Sequence, residues 1–222
     1  MPAPAMPTPK LHADPLPVTG VLVRPASRRD ADQVTELITD TPGGLPDILG
    51  NREGALRIVR RVFLTPGSFF GFPHTLVAED DGAVVGEMVR LSGSLWKRLR
   101  RRTGLGMLVG CGPGEAWRLA WRGSVAGRAM APIPDDVLYV VSLAVAAARR
   151  GQGIGAALLA RAVEEAGGAK HRAVALDVAF SNEDAIRFYL REGFAALSER
   201  GRPTARGLPA GGSIRMERRI SG

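Results

Sequence analysis

A glycine-spaced basic turn at residues 149–155 is the stretch of this chain best suited to chemistry. It reads Arg-Arg-Gly-Gln-Gly-Ile-Gly and follows an apolar run over residues 138–145. Glycines at alternate positions let the backbone turn tightly and bring its N–H groups close to an anion, because no side chain stands in the way. The two arginines add positive charge at the same place. We therefore interpret the turn as a binding site for a phosphate group.

The segment after the turn has the pattern of an amphipathic helix. Ile154, Leu158, Ala162 and Ala166 recur at helical spacing. The N-terminus of such a helix would direct unpaired N–H groups and a partial positive charge at whatever lies over the turn. Arginines at that end are unfavourable for the helix alone and become favourable with an anion present. This conflict favours a bound ligand.

Other glycine-rich phosphate loops fit this turn less well. A nucleotide-binding P-loop ends in Gly-Lys-Ser/Thr, whereas this turn ends in Gly-Ile-Gly-Ala. The dinucleotide fingerprint Gly-x-Gly-x-x-Gly lacks its third glycine here. A tight strand-to-helix turn with solvated arginines would also account for the glycines taken alone.

A second segment, residues 182–194, is predicted to be a short helix with a marker at each end. Asn182 is a good N-cap, and Gly193 followed by Phe194 is typical of a left-handed helix terminator with its hydrophobic contact. Asn182 and Tyr189 lie two turns apart and therefore share a face of the helix. Taken alone, Tyr189 would be a core tyrosine and Asn182 a plain cap.

Together the two segments resemble the GNAT superfamily of acyl-CoA-dependent N-acyltransferases. The pyrophosphate loop of that family reads Arg/Gln-x-x-Gly-x-Gly/Ala, and residues 150–155 match it at every fixed position. Residues 182–194 match its second signature, Asn-x-x-Ala-x-x-x-Tyr-x-x-x-Gly-Phe. The resemblance covers residues 21–220 in outline, with motif support over residues 138–194. It implies an α/β (α+β) fold with a mixed, mostly antiparallel central sheet flanked by helices.

The resemblance also implies a set of site residues and acetyl-CoA as the cosubstrate. Backbone groups of Leu143 and Val145 would hold the pantetheine arm, and the Val145 N–H would polarise the thioester carbonyl. Tyr189 would protonate the leaving thiolate, and Asn182 would hydrogen-bond the pantetheine. The pyrophosphate would lie on Arg150, Gly151, Gln152, Gly153, Ile154 and Gly155.

The general base is where the sequence departs from the commonest family pattern, because residues 137–145 contain no carboxylate. Glu87 is the candidate, with Asp135 and Asp136 as alternatives. Glu87 is equally well interpreted as a solvent-facing strand residue, and the two aspartates as a loop or cap. A base could also act through water.

Other catalytic chemistries find little support. The histidines His12, His74 and His171 are scattered without the spacing of a metal site, so no metal is expected. Ser142 lies in an apolar run and is interpreted as a small strand residue. Cys111, the single cysteine, is a poor candidate for a nucleophile and fits a reducing cytoplasm.

Composition predicts a soluble, cytoplasmic chain with one folded domain. The 222 residues are 45% hydrophobic, enough for a full core, and contain no run long enough to span a bilayer. We expect residues 1–20 to form a disordered tail and residues 21–222 to form one GNAT-like domain with an insertion at about 92–135. The net charge of +8 is concentrated partly in basic, Trp-containing stretches at residues 96–102 and 117–122. Such stretches could contact nucleic acid, or form a helical insertion over the acceptor site.

Hydrophobic periodicity and turn residues place the remaining elements. Helices are predicted from Ser27 or Asp30, ending at residues 41–44, and over residues 45–62; helical pieces separated by glycines are predicted within 92–135. A hairpin is predicted around Asp80-Asp81-Gly82. The predicted strands cover residues 21–24, 75–79, 84–91, 137–145, 173–178, 194–197 and 213–220.

Two functions remain open at this point. The first is an N-acetyltransferase that transfers an acetyl group from acetyl-CoA to a primary amine of a small molecule, peptide or protein, by direct attack in a ternary complex. The second is a coenzyme A-binding module without turnover that contacts nucleic acid or a protein through the basic insertion. No membrane is expected as a partner, and a homodimer is left open.

Overall fold

The structure is a computed structural model that describes residues 20–41, 45–109, 111–119, 132–200 and 212–220. The predicted N-terminal tail lies outside these residues except for Gly20. The same holds for most of the helix-ending segment 41–44 and of the loop before the last strand.

Seven strands of the described residues form one sheet: β1 (Leu22–Pro25), β2 (Thr75–Asp80), β3 (Ala83–Ser92), β4 (Val137–Val145), β5 (Ala173–Ala179), β6 (Ala195–Arg200) and β7 (Ser213–Arg219). Their order in the sheet is β1-β2-β3-β4-β5-β7-β6. Neighbouring strands are antiparallel except for β4 and β5, which are parallel. The predicted mixed, mostly antiparallel sheet is therefore confirmed.

Helices cover both faces of the sheet. The described helices are α1 (Ala31–Thr39), α2 (Leu45–Leu49), α3 (Arg52–Phe63), α4 (Gly93–Val109), α5 (Ile154–Gly168) and α6 (Glu183–Arg191). On one face α1 and α3 bury Val34 and Phe63 against Val77 and Val89. On the other face α5 buries Leu158 in the larger core. In the described part of the chain, no helix is long and apolar enough to cross a membrane.

Two helix predictions need correction. The helix expected over residues 45–62 is two helices, because Gly50 adopts a left-handed conformation with φ of 74°. Asn51 then caps α3 by accepting a hydrogen bond from the Gly54 N–H at 2.6 Å. Within the insertion, α4 runs unbroken through Gly104 and Gly106, where breaks were expected. Residues 113–119 are also helical.

The hairpin prediction is confirmed. Asp81 and Gly82 join β2 to β3, and both have positive φ, 47° and 80°. That is the backbone required at both central residues of the tight turn that suits the strand twist.

A bulge in β4 sets which side chains share a face of the sheet. Val89 pairs with Ser142 while Arg90 pairs with Val140, so Val141 is an extra residue in β4. Directly opposed residues in an antiparallel pair lie on the same face. Ser142 therefore lies on the α1 face, with Val89.

Beyond the bulge, β4 and β5 separate. Their pairing runs from Val137 and Ala173 to Val140 and Leu176, and β4 then continues to Val145 paired with β3 alone. The sheet therefore has an opening between the C-terminal ends of two parallel strands, where ligands of α/β proteins commonly bind.

Candidate active site

The glycine turn forms a continuous row of available backbone donors. Gly151 and Gly153 have φ of 77° and 82°, a region that favours glycine, and Gly153 is the N-cap of α5. The N–H groups of residues 151–156 donate no hydrogen bond to any described residue. The first turn of α5 contains no acidic residue. This loop is suited to an anion with several oxygens, such as a pyrophosphate.

Gly155 has a different role from the other two glycines. A Cβ at Gly155 would lie 3.1 Å from Cζ of Phe188 on α6, tighter than ordinary van der Waals contact. The third glycine thus allows α5 and α6 to pack closely. Sequence reasoning had assigned all three glycines to the phosphate.

The two arginines of the loop differ in what remains available to a ligand. Arg149 forms an ion pair with Asp80, and its Nε donates to Oε1 of Gln152 at 3.0 Å. Arg150 is exposed, and its Nε donates to the Val145 carbonyl at 3.1 Å. Among the described residues, Arg150 pairs with no carboxylate. Arg150 is therefore the cation available to an anion, and the sequence did not distinguish the two.

The opening between β4 and β5 offers backbone groups of Leu143 and Val145. Ala146 donates its N–H to the Val85 carbonyl of β3 at 2.9 Å, which fixes the alternation of β4 backbone groups. By that alternation the N–H groups of Leu143 and Val145 point away from β3, toward the opening. An extended, amide-containing chain could therefore bind along this edge.

Helix α6 has the predicted markers at both ends. Asn182 is its N-cap, and its Oδ1 accepts from the Ala185 N–H at 3.2 Å. Gly193 is left-handed with φ of 80°, and the Phe194 N–H bonds the Tyr189 carbonyl at 3.0 Å. The Asn182 Nδ2 donates to no described residue, so capping leaves it available to a ligand.

Tyr189 is buried, with its ring against Phe188 and Phe194 at centroid distances of 5.2 and 5.7 Å. Burial, and then the charge of the nearby Glu87, raise the pKa of Tyr189 to about 12. The phenol therefore keeps its proton at neutral pH. Its hydroxyl forms no hydrogen bond with a described residue.

Glu87 is fully buried, so its interpretation as a solvent-facing strand residue is wrong. Its Oε1 accepts a hydrogen bond from Ser142 Oγ at 2.6 Å, and Oε2 has no partner among the described residues. Burial raises the pKa of Glu87 to about 8, and the hydrogen bond from Ser142 opposes the rise. A carboxyl group with a pKa near neutrality is suited to accept and release a proton.

The alternative bases Asp135 and Asp136 are not in this region. Both are exposed and lie just before β4, at the end of the strand away from the opening. Asp135 pairs with Lys97 at 2.9 Å and Asp136 with Arg172 at 3.1 Å. The structure therefore separates them from Tyr189 and from the glycine turn.

A second polar cluster, not predicted from the sequence, joins β4, β5 and β7. Asp177 of β5 accepts two hydrogen bonds from Arg215 of β7, both at 2.7 Å, and one from the Tyr139 hydroxyl at 2.9 Å. The Arg215 guanidinium also lies over the Tyr139 ring, 5.4 Å from its centroid. An aspartate inside the apolar strand 173–179 was the signal available in the sequence.

In the first basic stretch, residues 96–102, the tryptophan and the basic side chains do not share one surface. Trp96 packs inward, with its ring centroid 4.4 Å from that of Phe69 and 5.7 Å from that of Tyr139. The basic side chains of α4 after Trp96 are exposed: Lys97, Arg98, Arg100, Arg101 and Arg102. Of the second stretch, residues 120–122 lie outside the described part of the chain.

No group of three or more His, Cys, Asp or Glu side chains that could hold a metal ion occurs among the described residues. Cys111 is half-buried, its Sγ contacts the Met107 carbonyl at 3.1 Å, and burial raises the pKa of its thiol. A thiol of this kind is less available as a thiolate.

Comparison with solved structures gives the same fold at low sequence identity. An N-acetyltransferase from Staphylococcus aureus Mu50 superposes with a TM-score of 0.66 at 19% identity, over 88% of this chain and 99% of the other. The ribosomal-protein-S18-alanine N-acetyltransferase from Escherichia coli gives a TM-score of 0.54 at 13% identity, over 91% and 95% of the two chains. Among curated protein sequences, none matches this chain significantly.

The family assignment rests on a family model, because solved structures at these identities show the fold alone. The model of the acetyltransferase (GNAT) family matches residues 59–194, more than half of the chain. That range includes Glu87, the glycine turn and α6. The chain therefore belongs to the GNAT family of acetyltransferases.

Proposed function

We propose that this protein is an acetyl-CoA-dependent N-acetyltransferase acting on a primary amine of a small molecule, peptide or protein. The observation that carries the proposal is the row of free N–H groups at residues 151–156, continuous with the open edge of β4. Glu87 and Tyr189 add the acid–base groups that transfer from a thioester to an amine requires.

The donor would lie along the opening between β4 and β5. Its pyrophosphate would bind the backbone of residues 151–155 and the Arg150 guanidinium, and its pantetheine amides would pair with Leu143 and Val145. Asn182 would donate from Nδ2, because its Oδ1 is occupied by the cap. Gln152 would contribute mainly its backbone, since its side chain bonds Arg149 and the Ala148 carbonyl.

The chemical step needs an oxyanion donor, a base and support for the leaving sulfur. The Val145 N–H would polarise the thioester carbonyl, and ionised Glu87 would take the proton released by the attacking amine. The phenol of Tyr189, with a pKa of about 12, holds its proton more tightly than a thiol with a pKa of about 8.5. Tyr189 would therefore stabilise the leaving thiolate by an O–H hydrogen bond, so that complete proton transfer is not required.

Gly153→Asp tests the donor site, because it places a side chain and a negative charge where the backbone has φ of 82°. We expect at least a ~100-fold loss of coenzyme A affinity in calorimetry, in line with several charge-assisted hydrogen bonds at about 1.5–3 kcal/mol each. Gly114→Asp is the matched control, since Gly114 is exposed and a Cβ there would meet no atom within 4 Å. Equal affinity in the two variants would contradict the proposed donor site.

Turnover is tested by thiol release from acetyl-CoA with benzylamine, spermidine and a lysine-containing peptide with a free N-terminus. Acceptor-dependent release that falls in Tyr189→Phe supports the enzyme. The exposed arginines of α4 favour a second candidate, a coenzyme A-binding module that contacts nucleic acid. Coenzyme binding with no release, together with salt-sensitive binding of a DNA or RNA duplex, would support that module instead.

A further inference from the structure

The buried base needs a route to the acceptor. Glu87 has 0% of its surface exposed, so an amine in the opening cannot touch its carboxyl directly. Ser142 contacts Glu87 and is itself only half-buried, in the part of β4 beyond its last pair with β5. Ser142 is therefore the polar side chain placed between the carboxyl and the opening.

The Ser142 hydroxyl has the bonding capacity that a relay requires. It donates to Glu87 Oε1 at 2.6 Å, within the range of short O–H···O bonds to a carboxylate. A hydroxyl has one proton and two lone pairs, so donation leaves Oγ able to accept a proton from a third group. No other hydrogen bond of the Ser142 hydroxyl is found among the described residues.

The bulge in β4 places Ser142 on the same face of the sheet as Glu87. Because Val141 is an extra residue, Ser142 pairs with Val89, which lies two positions from Glu87 on the same strand and face. In a regular strand, the residue at position 142 would lie on the α5 face, within the apolar core.

We propose that Ser142 relays the proton from the attacking amine to Glu87, an inference that rests on the proposed function. The amine N–H bond breaks as an O–H bond forms at Ser142 Oγ, and the original Oγ–H bond breaks as an O–H bond forms at Glu87 Oε1. Serine ends the step unchanged, the carboxylate becomes a neutral acid, and the nitrogen keeps its new bond to the acyl carbon. Proton release to solvent through the same hydroxyl resets the site.

The charged groups on the elements packed against Glu87 are exposed or paired with one another. Of the titratable groups on the packed elements, the Tyr189 phenol of α6 is electrostatically coupled to Glu87. On α1, Asp32 and Glu36 are exposed, and the N-cap residue Asp30 is bound by Arg24.

On the opposite face of the sheet, Arg90 of β3 pairs with Glu165 of α5, which also pairs with Arg161. The strand neighbours Val77 and Ala144, opposite Glu87, are uncharged.

Ser142→Ala removes the relay, and Ser142→Thr keeps the hydroxyl on a residue that suits a strand. We expect kcat to fall about 100-fold in the alanine variant and less than about 10-fold in the threonine variant, the usual range for a positioned proton-transfer group. The KM for acetyl-CoA should stay unchanged. Ser92→Ala is the matched control and should leave kcat unchanged: Ser92 is the last residue of β3, and its Oγ accepts from the Leu95 N–H at 3.3 Å and does not contact Glu87.

The pH profile separates a relay from a structural role. The Ser142 hydrogen bond lowers the pKa of Glu87, so its loss should move the rising limb of kcat to higher pH. Wild-type enzyme should also show a solvent isotope effect with a curved proton inventory, because two protons move together. An active wild type with an alanine variant of equal kcat and pH limb would overturn the relay and leave the proposed function standing.

Infrared titration of the Glu87 carboxyl, with Glu87→Gln to assign the band, gives a readout independent of any acceptor. A higher titration midpoint in Ser142→Ala than in the wild type supports the Ser142–Glu87 hydrogen bond. An equal midpoint overturns that hydrogen bond and the relay that depends on it. If wild-type protein acetylates none of the amines while this midpoint shifts, the proposed function fails and the Ser142–Glu87 contact stands.

Discussion

Glu87 and Asp177 lie on one side of the sheet and differ in how completely their carboxylates are bound. Asp177 accepts three hydrogen bonds, two from Arg215 and one from Tyr139. Glu87 accepts one, from Ser142, and its second oxygen has no partner among the described residues. A fully bonded, charge-paired carboxylate can serve the fold, whereas a half-bonded one costs stability and suggests retention for another reason.

Glu87→Gln is expected to have the largest effect, because it keeps the shape and a hydrogen-bond partner for Ser142 but cannot take a proton. We expect kcat to fall by about 10²–10⁴, the range for loss of a general base. Thermal stability at pH 8 should be equal or higher, because a buried charge is removed. Steady-state kinetics and calorimetric unfolding on the same preparation measure both. Loss of stability together with full activity would make Glu87 a structural residue like Asp177.

The stability of the protein should depend on pH through Glu87. The folded-state pKa of Glu87, about 8, lies above its ordinary value of 4.5, so the folded protein holds this proton more tightly than the unfolded chain. Stability from Glu87 is therefore full below about pH 4.5 and is lost as pH rises to about 8. The loss is about 5 kcal/mol at ~1.36 kcal/mol per pKa unit. Denaturant unfolding of wild type and Glu87→Gln across this range should show their stabilities diverging; parallel curves would contradict the raised pKa.

Asp177→Asn should affect the fold rather than the chemistry. It leaves the buried Arg215 without its carboxylate, and breaking a buried ion pair typically costs about 3–5 kcal/mol. The free energy of unfolding from urea titration is the measurement. Asp135→Asn is the matched control: its pair with Lys97 is exposed, so less than about 1 kcal/mol should be lost. Equal losses in the two variants would remove the distinction between the clusters.

Tyr139→Phe has the smallest expected effect. Burial and the neighbouring Asp177 raise the pKa of Tyr139 above its ordinary range, so its hydroxyl remains a donor. The variant loses one hydrogen bond and keeps the ring contacts with Trp96 and Arg215. A loss of about 1 kcal/mol is expected, measurable as a lower denaturation midpoint with unchanged slope. A loss as large as that of Asp177→Asn would mean that the hydroxyl, and not the ion pair, holds the cluster together.

The glycine turn and α6 were predictable because each is contiguous in sequence and has a backbone conformation that its own residues determine. Glycine spacing, a capping asparagine and a terminating glycine are local signals with local causes. The meeting of Glu87 with Ser142 was not predictable, because the two residues are 55 positions apart and meet through strand register and a bulge. Periodicity also did not reveal that Gly50 breaks a helix whereas Gly104 does not.

The structure of the insertion was also only partly predictable from its sequence. Its composition indicated helix and positive charge, and both are present in α4. That Trp96 turns inward to Phe69 and Tyr139 depends on which elements lie beneath the helix, and composition does not contain that information.

The extra residue Val141 has a consequence for how this strand can be compared with others. If the side chains of β4 are assumed to alternate without a break from Val137, every residue after Val141 is assigned to the wrong side of the sheet. Ser142 would then be placed on the α5 face, and the side chains of Leu143 and Val145 on the α1 face. In the structure Ser142 lies on the α1 face, and Leu143 and Val145 pack against the core on the α5 face. Any alignment or design that adds or drops one residue at this point exchanges the α1 face and the α5 face for the rest of the strand, even where every residue type is kept.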